Sequence, residues 1–222
     1  MSFQFPSRGR AQGRGRTGLV VLLLGGLLWL GPAAAKEPVS KGHPLPPPRP
    51  ASINFLDAMS LGLQPLDGRR AWDFSLPGID GKTVRLGDFR GKVVILSFWA
   101  SWCPSCRMEM PTLEKIHERY KDRDLAVIAV SIDAGGEKSV LPLLKKLGLT
   151  FPVPLDPNQK VMDRYGVTLI PTAFIIGRNG EMIGKGIGPK DWNGENGRRI
   201  LENLLDVSRA ASPGGSHSAL QR

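Results

Sequence analysis

The sequence predicts an α/β domain in which a central mixed β-sheet is flanked by helices. Two runs, 93–99 and 125–132, are too apolar for half-exposed strands and are typical of strands covered on both faces. Each run is followed by a segment of helical character, and the folded part of the chain finishes with a hairpin and a helix. This alternation favours a sheet with parallel neighbours and helices on both of its faces.

The first 35 residues have the pattern of a targeting segment. A basic start and a short apolar run at 19–30 precede small residues at Ala33 and Ala35, as in a secretory signal cleaved after Ala35. The run is shorter than the roughly 20 residues of a membrane-spanning helix, but an extension over 17–35 comes close, so an uncleaved anchor remains open. Either form predicts export, with the rest of the chain outside.

Beyond this leader the chain divides into three parts. Residues 36–69 contain a proline-rich spacer, which we expect to be extended and partly stiff. Within them, 53–63 has helical apolar spacing at Phe55, Leu56, Met59 and Leu63, and we expect this short helix to pack on the domain. We place the folded domain at 70–207 and a disordered tail at 208–222.

The elements of the domain follow from local signals. A hairpin is predicted from 73–76 and 82–86 around Asp80-Gly81, and a second from 172–176 and 181–186 around Asn179-Gly180. The predicted helices are 103–120, 137–147 ended by Gly148, 160–165 ended by Gly166, and 192–207.

Charge and composition exclude some functions. The net charge is +10, but four arginines lie in the leader, which leaves 26 basic and 20 acidic residues from Lys36 onward. A mildly basic surface suits acidic proteins or anionic lipid. No basic run alternates with aromatic residues, so we expect no nucleic-acid binding.

The two cysteines of the chain, Cys103 and Cys106, lie three positions apart at a predicted helix start. Unpaired N–H groups and the helix dipole favour a thiolate there, which makes Cys103 the expected nucleophile and Cys106 the resolving thiol. This spacing is also half of many zinc sites, but no second cysteine pair exists. The histidines, His43, His117 and His217, fit ordinary surface positions, so we expect a redox disulfide and no metal or other cofactor.

The motif Trp102-Cys103-Pro104-Ser105-Cys106 at the tip of a buried strand resembles the thioredoxin fold. The resemblance covers about 72–207. The leader, the added N-terminal hairpin and a small insertion at 137–154 make the chain most similar to the exported TlpA/ResA/CcmG branch, and within it to the TlpA-like members. The segments similar to that branch are Phe89-Arg90-Gly91-Lys92, Glu109-Met110-Pro111, Val167-Thr168-Leu169-Ile170-Pro171-Thr172 and Gly188-Pro189-Lys190-Asp191-Trp192.

The resemblance also implies roles for individual residues. Ordinary thioredoxins carry a buried Asp where this chain has Ser97, so the base for the second thiol must come from elsewhere. Glu109 is the candidate, because it lies three residues after Cys106 on the same helix and partial burial would raise its pKa toward neutrality. A cis Pro171 would present the Ile170 backbone to a substrate peptide. We expect Trp102 and Pro104 to contact the substrate beside Ile170.

The expected activity is that of an exported thiol-disulfide reductase. The branch implies disulfide-containing protein substrates, cytochrome c or cytochrome oxidase assembly, and a membrane thiol-disulfide donor that recharges the enzyme; we expect a monomer. Three alternative functions compete with this expectation. An exported oxidase or isomerase would use the same site at a different potential. A copper-binding module on this fold needs a Cys-x3-Cys motif and a distant histidine, and a peroxidase needs Pro-x3-Thr-x2-Cys; the sequence has neither motif.

Overall fold

The computed structural model describes residues 53–210, with side chains through Asp206. The predicted signal or anchor, cleavage after Ala35, most of the proline-rich spacer and the tail beyond 210 lie outside the described residues. Those parts of the sequence analysis stay predictions.

The described chain contains a five-stranded mixed sheet in the order β1-β7-β6-β4-β5. The central strand, β4 (Val93–Trp99), is parallel to β5 (Leu125–Ser131) and antiparallel to β6 (Thr172–Ile176). Strand β7 (Met182–Ile187) is antiparallel to both β6 and the edge strand β1 (Leu63–Pro65). Every residue of β4, β5 and β6 is buried, as their apolar sequences predict.

Five α-helices surround this sheet within residues 53–210. None of them is both long and apolar enough to cross a membrane. Helix α3 ends where predicted because Gly148 adopts φ +64°, a left-handed conformation that glycine tolerates best. The helices are α1 (Phe55–Ser60), α2 (Pro104–Tyr120), α3 (Glu137–Leu147), α4 (Lys160–Arg164) and α5 (Glu195–Ala210).

The extra hairpin is present as a separate two-stranded antiparallel sheet. Strands β2 (Ser75–Pro77) and β3 (Thr83–Arg85) pair across a turn in which Gly81 has φ +77°. A 3-10 turn at Leu86–Phe89 then leads to β4. The hairpin prediction is confirmed, although both strands are shorter than their sequence runs.

The folded body begins earlier than the predicted residue 70, because it already includes the buried Ile53. Strand β1 joins the main sheet through β7, so 63–69 are not a linker. The predicted apolar face of α1 is also wrong, because Phe55, Leu56 and Met59 are exposed, whereas Ala58 is completely buried. Ile53 and Leu63, at the two ends of the segment, are buried as well. The helix orientation is set by where β1 pairs, which helical periodicity does not encode.

The last helix differs from its prediction at both ends. It begins at Glu195 instead of Trp192 and continues to Ala210, past the predicted end at 207. Trp192 lies in the preceding turn and is completely buried. The Asp191 carboxylate accepts a hydrogen bond from the Gly194 amide at 2.9 Å, which stabilises this turn and delays the helix.

The corrected boundary predicts that α1 contributes to the stability of the domain. Ala58→Asp should lower the free energy of unfolding by about 3 kcal/mol or more, because it places an unpaired charge in the core. The matched control, Met59→Asp, changes an exposed neighbour and should cost less than about 1 kcal/mol. Urea unfolding measures both values, and equal stability of the two variants would show that 53–69 is not part of the folded body.

Candidate active site

The two cysteines lie at the junction of β4 and α2 and form a disulfide, with a Cα–Cα distance of 5.3 Å. Cys103 is the N-cap of α2, and its Sγ accepts a hydrogen bond from the Cys106 amide at 3.2 Å. Pro104 occupies the first helical turn, where its missing N–H costs nothing. When the disulfide is reduced, the same amide and the helix dipole stabilise a Cys103 thiolate.

The two cysteines of the disulfide differ in solvent exposure. Cys103 keeps 5% of its surface exposed, whereas Cys106 has none. Ser105 Oγ lies 3.3 Å from Cys103 Sγ and can donate a hydrogen bond to a thiolate there. This arrangement favours Cys103 as the thiol that a partner reaches and Cys106 as the internal thiol.

The loop before β6 lies against the exposed side of the disulfide. The Ile170–Pro171 peptide bond is cis, and the Ile170 carbonyl oxygen lies 3.9 Å from Cys103 Sγ. Pro171 is buried and Ile170 is half-buried. The geometry therefore brings together Cys103, Ile170 and Pro171, three residues singled out from the sequence.

Two of the residues expected to contact the substrate, Trp102 and Pro104, are exposed beside the disulfide. Trp102 is 66% exposed and Pro104 is also exposed, while Leu169 beside Ile170 is 62% exposed. Exposed apolar side chains around a reactive thiol can bury surface against a docking polypeptide. Trp99, in contrast, belongs to the core and donates its indole N–H to the Ala129 carbonyl oxygen at 3.2 Å.

Glu109 is buried more deeply than the sequence suggested, with 1% of its surface exposed. Its Oε1 accepts hydrogen bonds from the Trp192 indole N–H at 2.9 Å and from the Lys190 amide at 3.3 Å. Its Oε2 accepts one from Ser97 Oγ at 3.4 Å. Ser97, which stands where ordinary thioredoxins have an acid, is thus a partner of the acid that this chain carries on α2.

The environment of Glu109 gives it a proton affinity suited to thiol chemistry. Burial raises its pKa from 4.5 to about 7, because the charged form loses its hydration. Hydrogen bonds from Trp192 and Lys190 and the positive charge of Lys190 oppose this rise. A carboxyl with a pKa near neutrality can accept and return a proton at physiological pH.

A second buried carboxylate braces the loop that carries the cysteines. Asp133, which follows β5, accepts hydrogen bonds from the Ser101 amide at 2.9 Å and from Ser101 Oγ at 2.6 Å. Ser131 Oγ donates to the same carboxylate at 2.8 Å. The carboxyl ends of β4 and β5 are therefore tied together directly before Trp102 and Cys103.

The described residues offer little for a metal ion. No group of three or more His, Cys, Asp or Glu side chains within 53–210 is arranged to hold one. His117 lies late in α2, packs its ring edge-on to Phe151, and has a pKa lowered by burial. The other two histidines of the chain lie outside the described residues.

A model of the AhpC/TSA family matches residues 68–184, which span the hairpin, the cysteine motif, the cis-proline loop and most of the sheet. The chain belongs to the AhpC/TSA family. A peroxidase motif of the Pro-x3-Thr-x2-Cys form would need Pro at 96 and Thr at 100, where this member has Leu96 and Ala100.

Similar proteins within this thioredoxin-like family carry thiol-disulfide names. The thiol-disulfide oxidoreductase ResA of Bacillus thuringiensis is 36% identical over 121 residues, which cover 54% of this chain and 69% of the relative. The ResA of Oceanobacillus iheyensis is 42% identical over 119 residues, covering 52% and 62% of the two chains. A crystal structure of a thiol:disulfide interchange protein from Chlorobium tepidum superposes with a TM-score of 0.54 at 28% identity, covering 64% of this chain and 97% of that one.

The comparisons and the geometry agree on the reaction class. This AhpC/TSA member is a thiol-disulfide oxidoreductase with the fold of the thioredoxin-like branch, and Cys103 and Cys106 are its redox pair. The fold and the family resemblance predicted from the sequence are confirmed.

Sequence reasoning missed several residues around the site. Ser97 was noticed only as a substitution, and Lys190 and Trp192 only as part of a family motif, yet all three donate hydrogen bonds to Glu109. The Asp133 brace was not noticed at all. The sequence pattern that could have indicated it is a carboxylate directly after a buried apolar strand, at the same edge of the sheet as the cysteines.

The raised pKa of Glu109 predicts a pH-dependent stability. In the folded protein Glu109 keeps its proton up to about pH 7, whereas in the unfolded chain it loses the proton near pH 4.5. The native state thus binds more protons between these values, and stability falls as pH rises through this window. Relative to Glu109→Gln, wild-type protein should lose on the order of 3 kcal/mol between pH 4.5 and pH 7 and little more above pH 8.

Urea unfolding of the oxidised protein at several pH values measures this difference, because neither cysteine titrates in the disulfide. Glu118→Gln is the matched control, since Glu118 lies exposed on the same helix. Its stability should follow the wild-type curve at every pH. Parallel curves for wild type and Glu109→Gln would contradict a near-neutral pKa.

Proposed function

We propose that this enzyme is an exported reductase that opens disulfides in partner proteins. The observation that carries the proposal is the pairing of a capped, partly accessible Cys103 with a buried Glu109 one helical turn beyond Cys106. The first feature suits nucleophilic attack on a partner, and the second suits proton removal from an internal thiol.

The reaction begins with the reduced pair. The Cys103 thiolate attacks one sulfur of the partner disulfide, forms a mixed disulfide and expels the other partner sulfur as a thiolate. Glu109 takes the proton from the Cys106 thiol, and the Cys106 thiolate attacks Cys103 Sγ. The enzyme disulfide forms, the second partner sulfur leaves as a thiolate, and the proton held by Glu109 passes to solvent or to that departing thiolate. Two electrons have passed from the enzyme to the partner.

Binding of the partner would use the surface around Cys103. The Ile170 carbonyl oxygen, at 3.9 Å from Cys103 Sγ, is placed to accept a hydrogen bond from an extended partner chain. Trp102, Pro104 and Leu169 provide apolar contact area around it. Because these contacts involve backbone and general apolar surface, they suit several partner sequences that share a disulfide.

The direction of electron flow rests on the residues between the cysteines. Pro104 and Ser105 include no histidine that would stabilise the thiolate further, which favours a reductant over a strong oxidant. The resemblance to the ResA and CcmG branch supports a role in cytochrome c or cytochrome oxidase assembly and recharging by a membrane thiol-disulfide donor. The basic and apolar leader supports export, either as a cleaved protein or anchored through 17–35.

The reduction potential of the Cys103–Cys106 pair tests the direction. Equilibration with glutathione or dithiothreitol buffers should give a value close to that of thioredoxin, about −270 mV, or somewhat less negative. A value near −120 mV is that of a strong oxidant and would make the enzyme a disulfide donor. Thiol alkylation with a mass tag quantifies the reduced fraction in each buffer.

Trapping of mixed disulfides tests the order of attack. Cys106→Ser, expressed in the native host, should accumulate covalent complexes between Cys103 and exported partner proteins, because the resolving thiol is missing. Cys103→Ser is the matched control and should accumulate far fewer, since its remaining thiol is fully buried. Non-reducing gels and mass spectrometry identify the partners, and equal trapping by both variants would contradict the assignment of the nucleophile.

A further inference from the structure

The two carboxylate oxygens of Glu109 have different partners. Oε1 accepts two N–H hydrogen bonds, from the Trp192 indole at 2.9 Å and the Lys190 amide at 3.3 Å. Among the described residues, Oε2 has one long hydrogen bond, from Ser97 Oγ at 3.4 Å. A hydroxyl such as that of Ser97 can reverse its role and accept, whereas an indole or amide N–H can only donate.

This asymmetry decides which oxygen can hold a proton. A proton on Oε1 would face two N–H groups that have no lone pair to offer, whereas a proton on Oε2 can be donated to Ser97 Oγ or shared with a thiolate. We propose that Trp192 is a positioning residue that, together with the Lys190 amide, fixes Oε1 as the carbonyl-type oxygen and leaves Oε2 as the proton carrier for Cys106. This inference rests on the proposed proton transfer by Glu109.

The surroundings hold the indole in place. Trp192 is completely buried, and its amide donates to Thr112 Oγ1 on α2 at 3.4 Å. The Thr112 hydroxyl lies 3.2 Å from the Lys190 carbonyl oxygen and 2.9 Å from that of Glu109. A Cβ at position 197 would lie too close to the Trp192 carbonyl oxygen, so Gly197 lets α5 begin directly against the turn. Helices α2 and α5 therefore both fix the segment that carries the two donors.

The proposed proton transfer runs from Cys106 Sγ to Glu109 Oε2. Cys106 S–H breaks, its proton bonds to Glu109 Oε2, and the electron pair stays on Cys106 Sγ. That sulfur then bonds to Cys103 Sγ while the bond from Cys103 to the partner breaks, and the partner thiolate leaves. During this step the negative charge on Glu109 disappears, and Oε1 keeps both of its N–H partners throughout.

The electrostatic surroundings of Glu109 are simple. Lys190, which follows β7, is the charged residue that lowers the Glu109 pKa, and its Nζ donates to the Ile187 carbonyl oxygen at 2.7 Å. On β4 the hydrogen-bonded neighbour is the neutral Ser97, and on α2 the titratable Cys106 lies three residues before Glu109. Removal of the Trp192 donor should therefore change the proton affinity of Glu109 without removing any charge.

The test is Trp192→Phe, which keeps an aromatic ring but removes the indole N–H. The charged form of Glu109 loses a hydrogen bond, so its pKa should rise from about 7 to about 8. The pKa is read from the carboxyl signal of 13C-labelled glutamate in the full-length oxidised enzyme. The pH midpoint of mixed-disulfide resolution, measured by rapid mixing of the reduced enzyme with a model disulfide, should move upward by the same amount.

Trp99→Phe is the matched control. Trp99 is equally buried and also loses an indole hydrogen bond, but its partner is the Ala129 carbonyl oxygen. This variant should lose stability and leave the Glu109 pKa at its wild-type value. An unchanged pKa in Trp192→Phe, or an equal rise in Trp99→Phe, would overturn the proposal.

Two further variants distinguish failure of the Trp192 proposal from failure of the proposed proton transfer by Glu109. Thr112→Val replaces Trp192→Phe in this test if the latter does not fold. It removes the hydroxyl that holds the turn but keeps the indole, so it should raise the Glu109 pKa by a smaller amount. An unchanged Glu109 pKa would count against the proposal. Glu109→Gln tests the proposed function alone, because it should slow resolution at neutral pH and move its pH midpoint upward, toward the titration of the Cys106 thiol itself. If the rate and the midpoint keep their wild-type values in Glu109→Gln, the proton-transfer role fails, while the carboxyl signal in Trp192→Phe still reports whether the indole sets the Glu109 pKa.

Discussion

The burial of one carboxyl group organises this active site. Glu109 lies almost completely out of solvent, and an ionised carboxylate in such a place is costly unless donors surround it. Its three donors come from two parts of the chain, Ser97 on β4 and the Lys190 and Trp192 groups before α5. These hydrogen bonds offset only part of the cost, and the remaining penalty is what brings the pKa to about 7. The site therefore depends on a balance between desolvation and hydrogen bonding.

The two cysteines on helix α2 lie in different electrostatic environments, although they are only one turn apart. At its start, Cys103 is capped by a backbone amide and can hold a negative charge as a thiolate. One turn later Cys106 is fully buried, where an unassisted thiolate is disfavoured. A further turn brings the carboxyl that can remove the Cys106 proton. This difference supports the proposed order of the two sulfur attacks, because each step needs a different stabilisation of negative charge.

The segment matched by the family model contains only part of the local environment of Glu109. The AhpC/TSA model spans 68–184, which includes both cysteines, Glu109 and Pro171 but ends before Lys190 and Trp192. The edge strand β1 likewise precedes it. The shared family segment thus supplies the thiol pair and the sheet that carries it. Of the donors to Glu109, Ser97 lies within that segment, whereas Lys190 and Trp192 lie just beyond it.

The sequence by itself determined every strand but β1, most helices and the redox pair of this protein, because these depend on local signals. An apolar run such as 93–99, a left-handed glycine such as Gly148 and two cysteines at a helix start can each be read within a few residues. The tertiary structure alone decided the edge pairing of β1, the outward face of α1, the Asp133 brace and the partners of Glu109. Trp192 shows the reason most clearly: its apolar ring fits a helix pattern, but its indole N–H bonds to a carboxylate 83 residues away, and no local periodicity encodes that contact.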